Sequence, residues 1–359
     1  MEPGPALNLV VGANGQGKTN LLEAIWMLGG ARSPRVADLR RLVRAGAPVA
    51  QVEGAVQLDA TGARRQVSLT LPGGGGARAF TVNGRRVVRA LDWLGQVLVV
   101  WFSPDEVDVV RGSPATRRRF LDVALAQVDP VFREAATRYA RALQQRNRAL
   151  QQLAGSQSGR VVVEAWDGPL ARAGAVVSLR RKQMLAELAP VALDIHARLA
   201  GAGPSLRLAY RPAVPEEATH SVPAYEKALV ARLRHLAEVE RVRRVTLAGP
   251  HREDFELRLD DLDLRATGSR GQQRTAALAL FLALWSWVSR RAGEPAILLL
   301  DDAGSELDPG RRRRLAEVLP ADAQVFATAT EVGLIPPAGG APARLWRVSA
   351  GQLELVPVG

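Results

Sequence analysis

The chain has 359 residues, 47% of them hydrophobic and 23% charged, a composition typical of a soluble globular protein. It contains no cysteine, which excludes disulfide bonds, thiol catalysis and cysteine-ligated metals, and its four histidines lack the spacing of a zinc site. No apolar run approaches the roughly 20 residues that cross a bilayer, and we find no signal-like segment. We therefore predict a cytoplasmic protein with no membrane partner, and the net charge of +12, almost all from arginine, favours a polyanionic partner.

The first predicted element is a strand over Leu7–Val11, which leads directly into the loop Gly12-Ala13-Asn14-Gly15-Gln16-Gly17-Lys18-Thr19. This is the pattern G-x-x-x-x-G-K-[ST] in its required context, because a helix is predicted over Leu21–Leu28. Glycines let successive N–H groups turn toward one anion, and the helix adds the positive end of its dipole. Lys18 should reach the β- and γ-phosphates of a nucleotide, and the Thr19 hydroxyl should bind Mg²⁺. The predicted nucleotide-binding residues of this segment are Gly12, Asn14, Gly15, Gly17, Lys18, Thr19 and Asn20.

The next section, residues 49–100, is predicted to be rich in β-strands. Apolar and polar residues alternate with period two over residues 50–58 and 66–71. Asn83-Gly84 predicts a tight turn between short strands over 79–82 and 85–88. A buried strand over 96–102 follows, and Ser103-Pro104 should end it and begin a helix.

A helical region is predicted from about residue 113. Apolar residues recur at steps of three and four over 114–153 and 160–200, and Gly155–Gly159 separates these two segments. We expect an antiparallel helical hairpin. At 1.5 Å per residue, helices of about 25 residues reach roughly 40 Å, which predicts a compact lobe and not a long coiled-coil arm.

The remaining chain alternates between strands and helices. Between residues 205 and 265 we predict strands over 205–210, 244–249 and 256–259 and a helix near 223–241. The later elements are a helix over 270–291, a strand over 296–301, a helix over 309–318, and strands over 324–328, 345–348 and 353–356. This order predicts a largely parallel, doubly wound sheet. We predict a discontinuous head domain of residues 1–112 and 205–359 and a helical lobe of residues 113–204.

Two acidic residues, Asp301 and Asp302, directly follow the apolar strand Ile297–Leu300. Ligands bind at this edge of a parallel sheet. We predict that Asp301 shares the Mg²⁺ site with Thr19 and that Asp302 orients or deprotonates the attacking water. The alternative is that the two aspartates only cap a helix.

A second anion-binding helix start is predicted at Ser269-Arg270-Gly271-Gln272, which precedes a long apolar helix. Ser269 and the N–H groups of Gly271 and Gln272 would bind phosphate there. A single P-loop has no need of such a site, whereas a protein that holds its nucleotide between two copies of itself does. The alternative is an ordinary helix with Ser269 as its N-cap.

Together with Ser305-Glu306-Leu307-Asp308, these segments resemble the Walker A, Walker B, signature and D-loop motifs of ABC-type ATPases. Within that class the chain resembles the bacterial RecF recombination-mediator family. Five strings carry this resemblance in the family's order, namely Asn14–Ile25, Phe102–Asp105, Arg117–Asp122, Gly249–Asp254 and Ser269–Gln272. The resemblance implies an α/β fold, an ABC-type ATPase head with a P-loop, a mostly parallel sheet and an antiparallel β section, joined to a helical lobe.

The resemblance also implies an ATP-dependent DNA-binding protein of DNA replication, recombination, repair and the SOS response. The implied cofactors are ATP and Mg²⁺, and the implied partners are double-stranded DNA, junctions of single- and double-stranded DNA, a second copy of the chain, RecR, RecO and the RecA pathway. In an ATP-dependent homodimer, Lys18 and Thr19 of one chain and Ser269 of the other would enclose one ATP. The predicted catalytic residues are therefore Lys18, Asp301, Asp302 and Ser269.

The sequence departs from the family's pattern at three places. Met1 lies only a few residues before the first strand, where the family has a further strand and residues near the adenine. No Gln follows the strand that ends at Phe102, and Thr328 and Thr330 stand where a switch histidine is common. In addition, Asp302 is one methylene shorter than the Glu found at this place in transporter ATPases, which predicts slow hydrolysis.

Two alternatives remain at this point, a transporter ATPase subunit and a DNA clamp that does not hydrolyse ATP. The candidate DNA contacts are the arginine groups Arg40-Arg41, Arg64-Arg65, Arg85-Arg86 and Arg117–Arg119. Arg311–Arg314 is predicted to be ordinary helix surface.

Overall fold

The computed structural model describes residues 1–30, 32–36, 38–153, 157–201, 203–304, 308–319, 323–332 and 344–357. Its helices are α1 Lys18–Gly30, α2 Ala90–Trp93, α3 Asp108–Arg111, α4 Pro114–Val128, α5 Pro130–Leu153, α6 Gln157–Ala165, α7 Asp167–Ala200, α8 Val222–Arg243, α9 Leu264–Thr267, α10 Arg270–Ala292 and α11 Pro309–Val318. Its strands are β1 Leu7–Val11, β2 Val49–Gln57, β3 Arg64–Pro72, β4 Ala79–Val82, β5 Arg85–Val87, β6 Val99–Phe102, β7 Leu206–Arg211, β8 Asp254–Leu259, β9 Leu262–Asp263, β10 Ile297–Leu300, β11 Val325–Ala329, β12 Arg344–Ser349 and β13 Gln352–Val356. Most of the D-loop, Ser305–Leu307, and the start of the predicted break at Gly155 lie outside the described residues.

The contacts group the chain into two compact units. The first unit contains Met1–Val107, Val191–Leu206 and Ser269–Gly359, and the second contains Asp108–Pro190 and Arg207–Gly268. Residues 207–268, which the predicted domains assign to the head, are grouped here with the helical region. Within the described ranges, no helix is both long and apolar enough to span a membrane.

The first unit is built on a six-stranded sheet with the order β13-β12-β1-β11-β10-β6. All neighbours are parallel except β12 and β13. Every residue of β1 is buried, as expected for a central strand whose two faces are both covered. The predicted mostly parallel sheet is confirmed. Because β1, β10 and β11 are parallel, the residues that follow them meet at one edge of the sheet.

An antiparallel sheet with the order β2-β3-β4-β5 completes the predicted β section of this unit. Asn83 and Gly84 have positive φ values of 50° and 77°, as a two-residue hairpin turn requires, so this turn prediction is confirmed. The buried face of the sheet packs with α1 in one apolar core that includes Leu22, Leu69 and Phe80. This core covers one side of the helix that follows the P-loop and so fixes where that helix begins.

Helix α10 is the most deeply buried helix described in the first unit. Its 23 residues include an unbroken buried run from Thr275 to Trp285. Phe281 packs edge-on against Phe102 of β6 with ring centroids 5.6 Å apart, and Trp285 Nε1 donates to Ala296 O at 2.6 Å. A helix apolar on all sides is stable only when it is enclosed, so the packing of α10 fixes the position of its N-terminal residue, Arg270.

In the second unit, α5 and α7 run antiparallel. Arg146 of α5 binds Asp167 of α7. Tyr139, seven residues before Arg146, lies against Gly174, seven residues after Asp167, as antiparallel helices require. The predicted helix over 114–153 is divided in two, since Pro130 follows Asp129, whose Oδ1 accepts from Phe132 N at 2.9 Å. A three-stranded sheet with the order β7-β8-β9 lies in the same part of the chain.

The strand predicted over residues 244–249 is wrong. Arg244 adopts a left-handed conformation with φ of 55° and ends α8. The backbone N–H of Thr246 donates to Asn147 Oδ1 at 2.9 Å, and that of Leu247 donates to Glu240 Oε1 at 2.7 Å. Side chains therefore satisfy these backbone donors, and apolar residue types alone do not make the segment a strand.

Candidate nucleotide-binding site

The P-loop connects the end of β1 to the start of α1, as its sequence pattern predicts. Gly15 and Gly17 have φ values of 79° and 106°, a region that residues with a side chain rarely adopt. Gly12 N donates to Ala329 O at 3.3 Å, which attaches the start of the loop to β11. Asn14 is exposed on the loop. The loop thus has the backbone conformation that presents successive N–H groups to an anion.

Lys18 is the first residue of α1, and only 8% of its surface is exposed. Its Nζ donates to Gly12 O at 2.6 Å and to Ala13 O at 3.1 Å. The ammonium group is therefore held inside the curve of the loop, where a bound phosphate chain would lie.

Asp301, Thr19 and Thr328 form a cluster of oxygen atoms beside the P-loop. Asp301 Oδ1 accepts from Thr328 Oγ1 at 2.7 Å and from Thr19 Oγ1 at 3.2 Å. Burial raises the pKa of Asp301, and its hydrogen bonds with Thr328 and Thr19 oppose that shift. The predicted pair Thr19 and Asp301 is therefore together in space, although 282 positions separate them in sequence.

Asp302 also depends on Thr328. Its backbone N–H donates to Thr328 Oγ1 at 2.8 Å, and its φ of 50° lies in the left-handed region, which Asp tolerates better than most residues. One hydroxyl thus contacts both aspartates at the end of β10. The sequence shows Thr328 as a departure from the family's pattern but gives no sign of this bridge.

The Thr19 hydroxyl and the Asp301 carboxylate fit Mg²⁺, which prefers oxygen ligands and is usually bound by one or two protein groups together with phosphate oxygens and water. Among the described residues, no group of three or more His, Cys, Asp or Glu side chains could form a metal site of its own. The donor set at this edge is the one expected for a metal that binds with a nucleotide.

The turn between β12 and β13 supports the P-loop from the other side. Ala350 N donates to Gln16 Oε1 at 2.7 Å, and Gly351 N donates to Gln16 O at 3.1 Å. Gln16 occupies a variable position of the motif, so the pattern itself could not indicate this contact.

Arg35, like Thr328 and Gln16, makes contacts near the site that the sequence did not indicate. Its Nη1 lies 3.3 Å from Asn20 Oδ1 and 3.3 Å from Glu23 Oε2, and Glu23 also accepts a short hydrogen bond from Ser33. The positive charge of Arg35 weakly opposes the rise in the pKa of Asp301 that burial causes. Asn20, predicted to bind nucleotide, thus contacts a cation near the site, and no motif in the sequence marks Arg35.

Ser269 is exposed and forms the N-cap of α10 in a complete capping box. Ser269 N donates to Gln272 Oε1 at 2.8 Å, and Gln272 N donates to Ser269 Oγ at 3.3 Å. In the described part of the chain, no hydrogen bond joins this segment to the P-loop. Both interpretations of the segment, N-cap and anion site, are compatible with this geometry.

A P-loop between a buried parallel strand and a helix, with an acidic residue after a nearby strand, defines the nucleotide-binding site of a P-loop NTPase. The sequence model described as "RecF/RecN/SMC N terminal domain" matches residues 1–339. The DNA replication and repair protein RecF of Heliobacterium modesticaldum is 39% identical over 354 residues, which cover 98% of this chain and 93% of the relative. The chain belongs to the RecF family.

Solved structures agree with this assignment. One described as the recombination mediator protein RecF-ATP in the RecFOR pathway superimposes with a TM-score of 0.90 at 28% identity, covering 99% of this chain and 93% of that chain. An Smc head domain with an extended coiled coil, from Pyrococcus furiosus, has a TM-score of 0.55 at 17% identity and covers 99% of this chain and 91% of its own. The Smc likeness concerns the fold alone. The predicted family and fold class are confirmed.

Proposed function

We propose that this chain is an ATP-dependent DNA-binding protein of recombinational repair that dimerises when it binds ATP. The observation that carries the proposal is the arrangement of Lys18, Thr19 and Asp301 around the P-loop, together with the exposed helix start at Ser269 in the same unit. Similarity to a RecF-ATP structure of the RecFOR pathway supports it. The family favours DNA repair over a transporter motor.

In the proposed site, the backbone of Gly12–Gly17 and the Lys18 ammonium bind the β- and γ-phosphates of ATP. Thr19 and Asp301 hold Mg²⁺, which neutralises charge on the phosphate oxygens when it is bound. Asp302 orients the attacking water. Ser269, Gly271 and Gln272 of a second copy bind the γ-phosphate from the opposite side through the start of α10.

ATP hydrolysis is proposed to be slow. Asp302 is held by its backbone contact with Thr328, and its short side chain keeps the carboxylate farther from the water than a Glu would. Phosphate release in the presence of DNA measures the rate, and turnover of tens per second would contradict this part of the proposal. A protein that binds ATP and DNA with no phosphate release would instead be a non-hydrolysing clamp.

The decisive experiment compares Lys18→Met with Ser269→Arg. Lys18→Met should lose nucleotide binding and therefore dimerisation, because the buried cation inside the P-loop is removed. Ser269→Arg should bind ATP normally and remain monomeric, because only the partner's site is affected. Light scattering with and without ATP, together with equilibrium binding of ATP, distinguishes the two. Equal loss of ATP binding in both variants would contradict a site shared between two copies.

Double-stranded DNA and its junctions with single strands are the proposed polyanionic partners. Several of the candidate arginines already have partners within the chain. Arg40 forms an ion pair with Asp38, Arg65 donates a hydrogen bond to Gln96 O, and Arg117 forms an ion pair with Asp254. By contrast, the side chains of Arg64, Arg85 and Arg86 have no hydrogen bond or ion pair within the described ranges. Arg64 on β3 and Arg85 and Arg86 on β5 are therefore the stronger candidates for phosphate contacts.

Cooperation with RecR and RecO to load RecA at gaps, in the cytoplasm, is proposed from family membership. Association of the purified chain with RecR, measured with and without DNA, tests the first step of that pathway.

A further inference from the structure

Helix α11 carries four consecutive arginines that the sequence predicts to be ordinary surface. Two of them, Arg312 and Arg314, donate hydrogen bonds to other segments of the first unit. Arg312 Nε donates to Gly304 O at 2.9 Å, and Arg314 Nη1 donates to Leu199 O at 2.9 Å. Arg198 Nη2 in turn donates to Glu317 O at 2.9 Å. These bonds fix α11 to the end of α7 and to the segment after Asp302, so the helix is a rigid support for its remaining side chains.

Arg311 lies against the predicted signature segment. A Cβ atom at Gly271 would come within 3.0 Å of Arg311 Nη1, so the guanidinium group rests on the first turn of α10 at a residue that has no side chain. Arg311 Nε is 3.5 Å from Asp308 Oδ2, and its backbone N–H donates to Asp308 Oδ1 at 2.9 Å. Arg311 thus connects Asp308 to Gly271.

A cation at this place is electrostatically unusual. Gly271 is in the first turn of α10, where unpaired N–H groups and the helix dipole make the potential positive. A positive side chain is disfavoured there unless an anion is near. Asp308 supplies part of that compensation, and a phosphate group at Ser269 would supply more.

We propose that Arg311 is a positioning residue of the ATP site shared between two copies, tying Asp308 to the signature segment and adding positive charge where the partner's triphosphate binds. This inference rests on the proposed function. It assigns a role in dimerisation, and none in the binding of ATP by a single copy, because Arg311 has no contact with the P-loop of its own chain among the described residues.

The test compares Arg311→Gln and Arg311→Lys with Arg313→Gln, a matched control on the exposed side of the same helix. Arg311→Gln should bind ATP as a monomer within about twofold of the unmodified protein. Its ATP-dependent dimer should be about tenfold weaker, because one positive charge near the partner's triphosphate is lost. Arg311→Lys, which keeps the charge, should recover most of the dimer affinity, and Arg313→Gln should match the unmodified protein.

Light scattering over a range of protein concentrations, with ATP and Mg²⁺, measures the dimer, and equilibrium dialysis of ATP at low protein concentration measures nucleotide binding. The difference between the unmodified protein and Arg311→Gln should shrink as salt rises from about 50 mM to about 300 mM, because exposed charges are then screened. If Arg311 had a merely structural role, the difference in dimer affinity between the two proteins would not depend on salt. Thermal unfolding of each variant verifies that the fold is intact.

The outcomes separate the two proposals. If the unmodified protein dimerises with ATP and Arg311→Gln dimerises equally well, the role of Arg311 is overturned and the shared site stands. If the unmodified protein stays monomeric with ATP, the shared site is overturned and the role of Arg311 with it.

Discussion

Thr328 places one hydroxyl between the two aspartates at the end of β10, donating to Asp301 at 2.7 Å and accepting from Asp302 N at 2.8 Å. Water cannot replace either hydrogen bond, because Thr328 is completely buried. The position of the carboxylate that faces Thr19 and the backbone conformation of Asp302 therefore both depend on a single side chain.

Replacing Thr328 with Val keeps the shape of the side chain and removes the hydroxyl. The Asp302 N–H then loses its acceptor, and a buried unsatisfied donor destabilises by about 1–3 kcal/mol. We expect phosphate release to fall about tenfold or more, with a higher Mg²⁺ requirement, because Asp301 is no longer oriented. Thr328→Ser, which keeps the hydroxyl, is the control. An unchanged rate and Mg²⁺ requirement in Thr328→Val would contradict this role.

His251 gives the second prediction at this scale. Burial lowers the pKa of His251 to about 4, and the neutral ring bonds Tyr139 through Nδ1 and Thr246 O through Nε2. The unfolded chain takes up this proton near the usual value of about 6.5, before the folded protein does, so stability is lost as pH falls. Between pH 7 and pH 5 the loss from this group should be about 2 kcal/mol.

Denaturant unfolding at the two pH values measures the effect, with His251→Gln as the comparison. The variant should be less stable at pH 7 but should lose about 2 kcal/mol less between the two pH values. If both proteins lose the same free energy, His251 is not a source of the acid sensitivity.

At the scale of elements, α5, α7 and α8 are joined by a buried charged cluster. Arg146, with 1% of its side chain exposed, binds Asp167 at 2.8 Å, Glu240 at 2.7 Å and Thr246 at 2.9 Å. Asp167 is the first residue of α7, Glu240 lies in the last turn of α8, and Thr246 follows that helix. The helices therefore depend on one guanidinium group for their relative register.

Arg146→Met leaves two carboxylates buried without their cation. Removing one partner of a buried pair typically destabilises by about 3–5 kcal/mol. The control is Arg138→Ala on the same helix, whose exposed pair with Glu134 should contribute at most about 1 kcal/mol. Denaturant unfolding with a probe in the helical region measures both. Equal midpoints for the two variants would show that the cluster contributes no more than a surface pair.

Two of the sequence segments that carry the family resemblance, Arg117–Asp122 and Gly249–Asp254, contact each other in the second unit. Arg117 Nε and Nη2 bind the two oxygens of Asp254 at 2.7 and 2.8 Å, and Arg118 Nη1 donates to Glu253 O at 2.8 Å. The Glu253 carboxylate is buried and accepts from Ser178, Tyr210, Tyr225 and Ala213 N. Arg117, which the sequence suggested as a DNA contact, is thus buried and already forms an ion pair with Asp254.

For the whole molecule, the net charge of +12 predicts binding to DNA that weakens with salt. Replacing Arg64, Arg85 and Arg86 together with Gln should reduce the slope of log K against log salt by about 2.7, or about 0.9 for each lost phosphate contact. The matched control replaces three ion-paired arginines, Arg160, Arg211 and Arg241, and changes the net charge equally. DNA binding in the presence of ATP over a salt series measures the slope. The same reduction in both variants would show that total charge, and not these three arginines, determines binding.

The sequence by itself determined the P-loop, the order of nearly all strands and helices, the Asn83-Gly84 turn and the family. These features are local, because near neighbours in the chain select a backbone conformation through glycine, capping residues and apolar periodicity. Only the tertiary structure decided the absence of the strand at residues 244–249, the bridge from Thr328 to Asp301 and the contact of Arg311 with Gly271. Such contacts join residues distant in the chain, and they follow from strand register and helix packing, which no short pattern encodes.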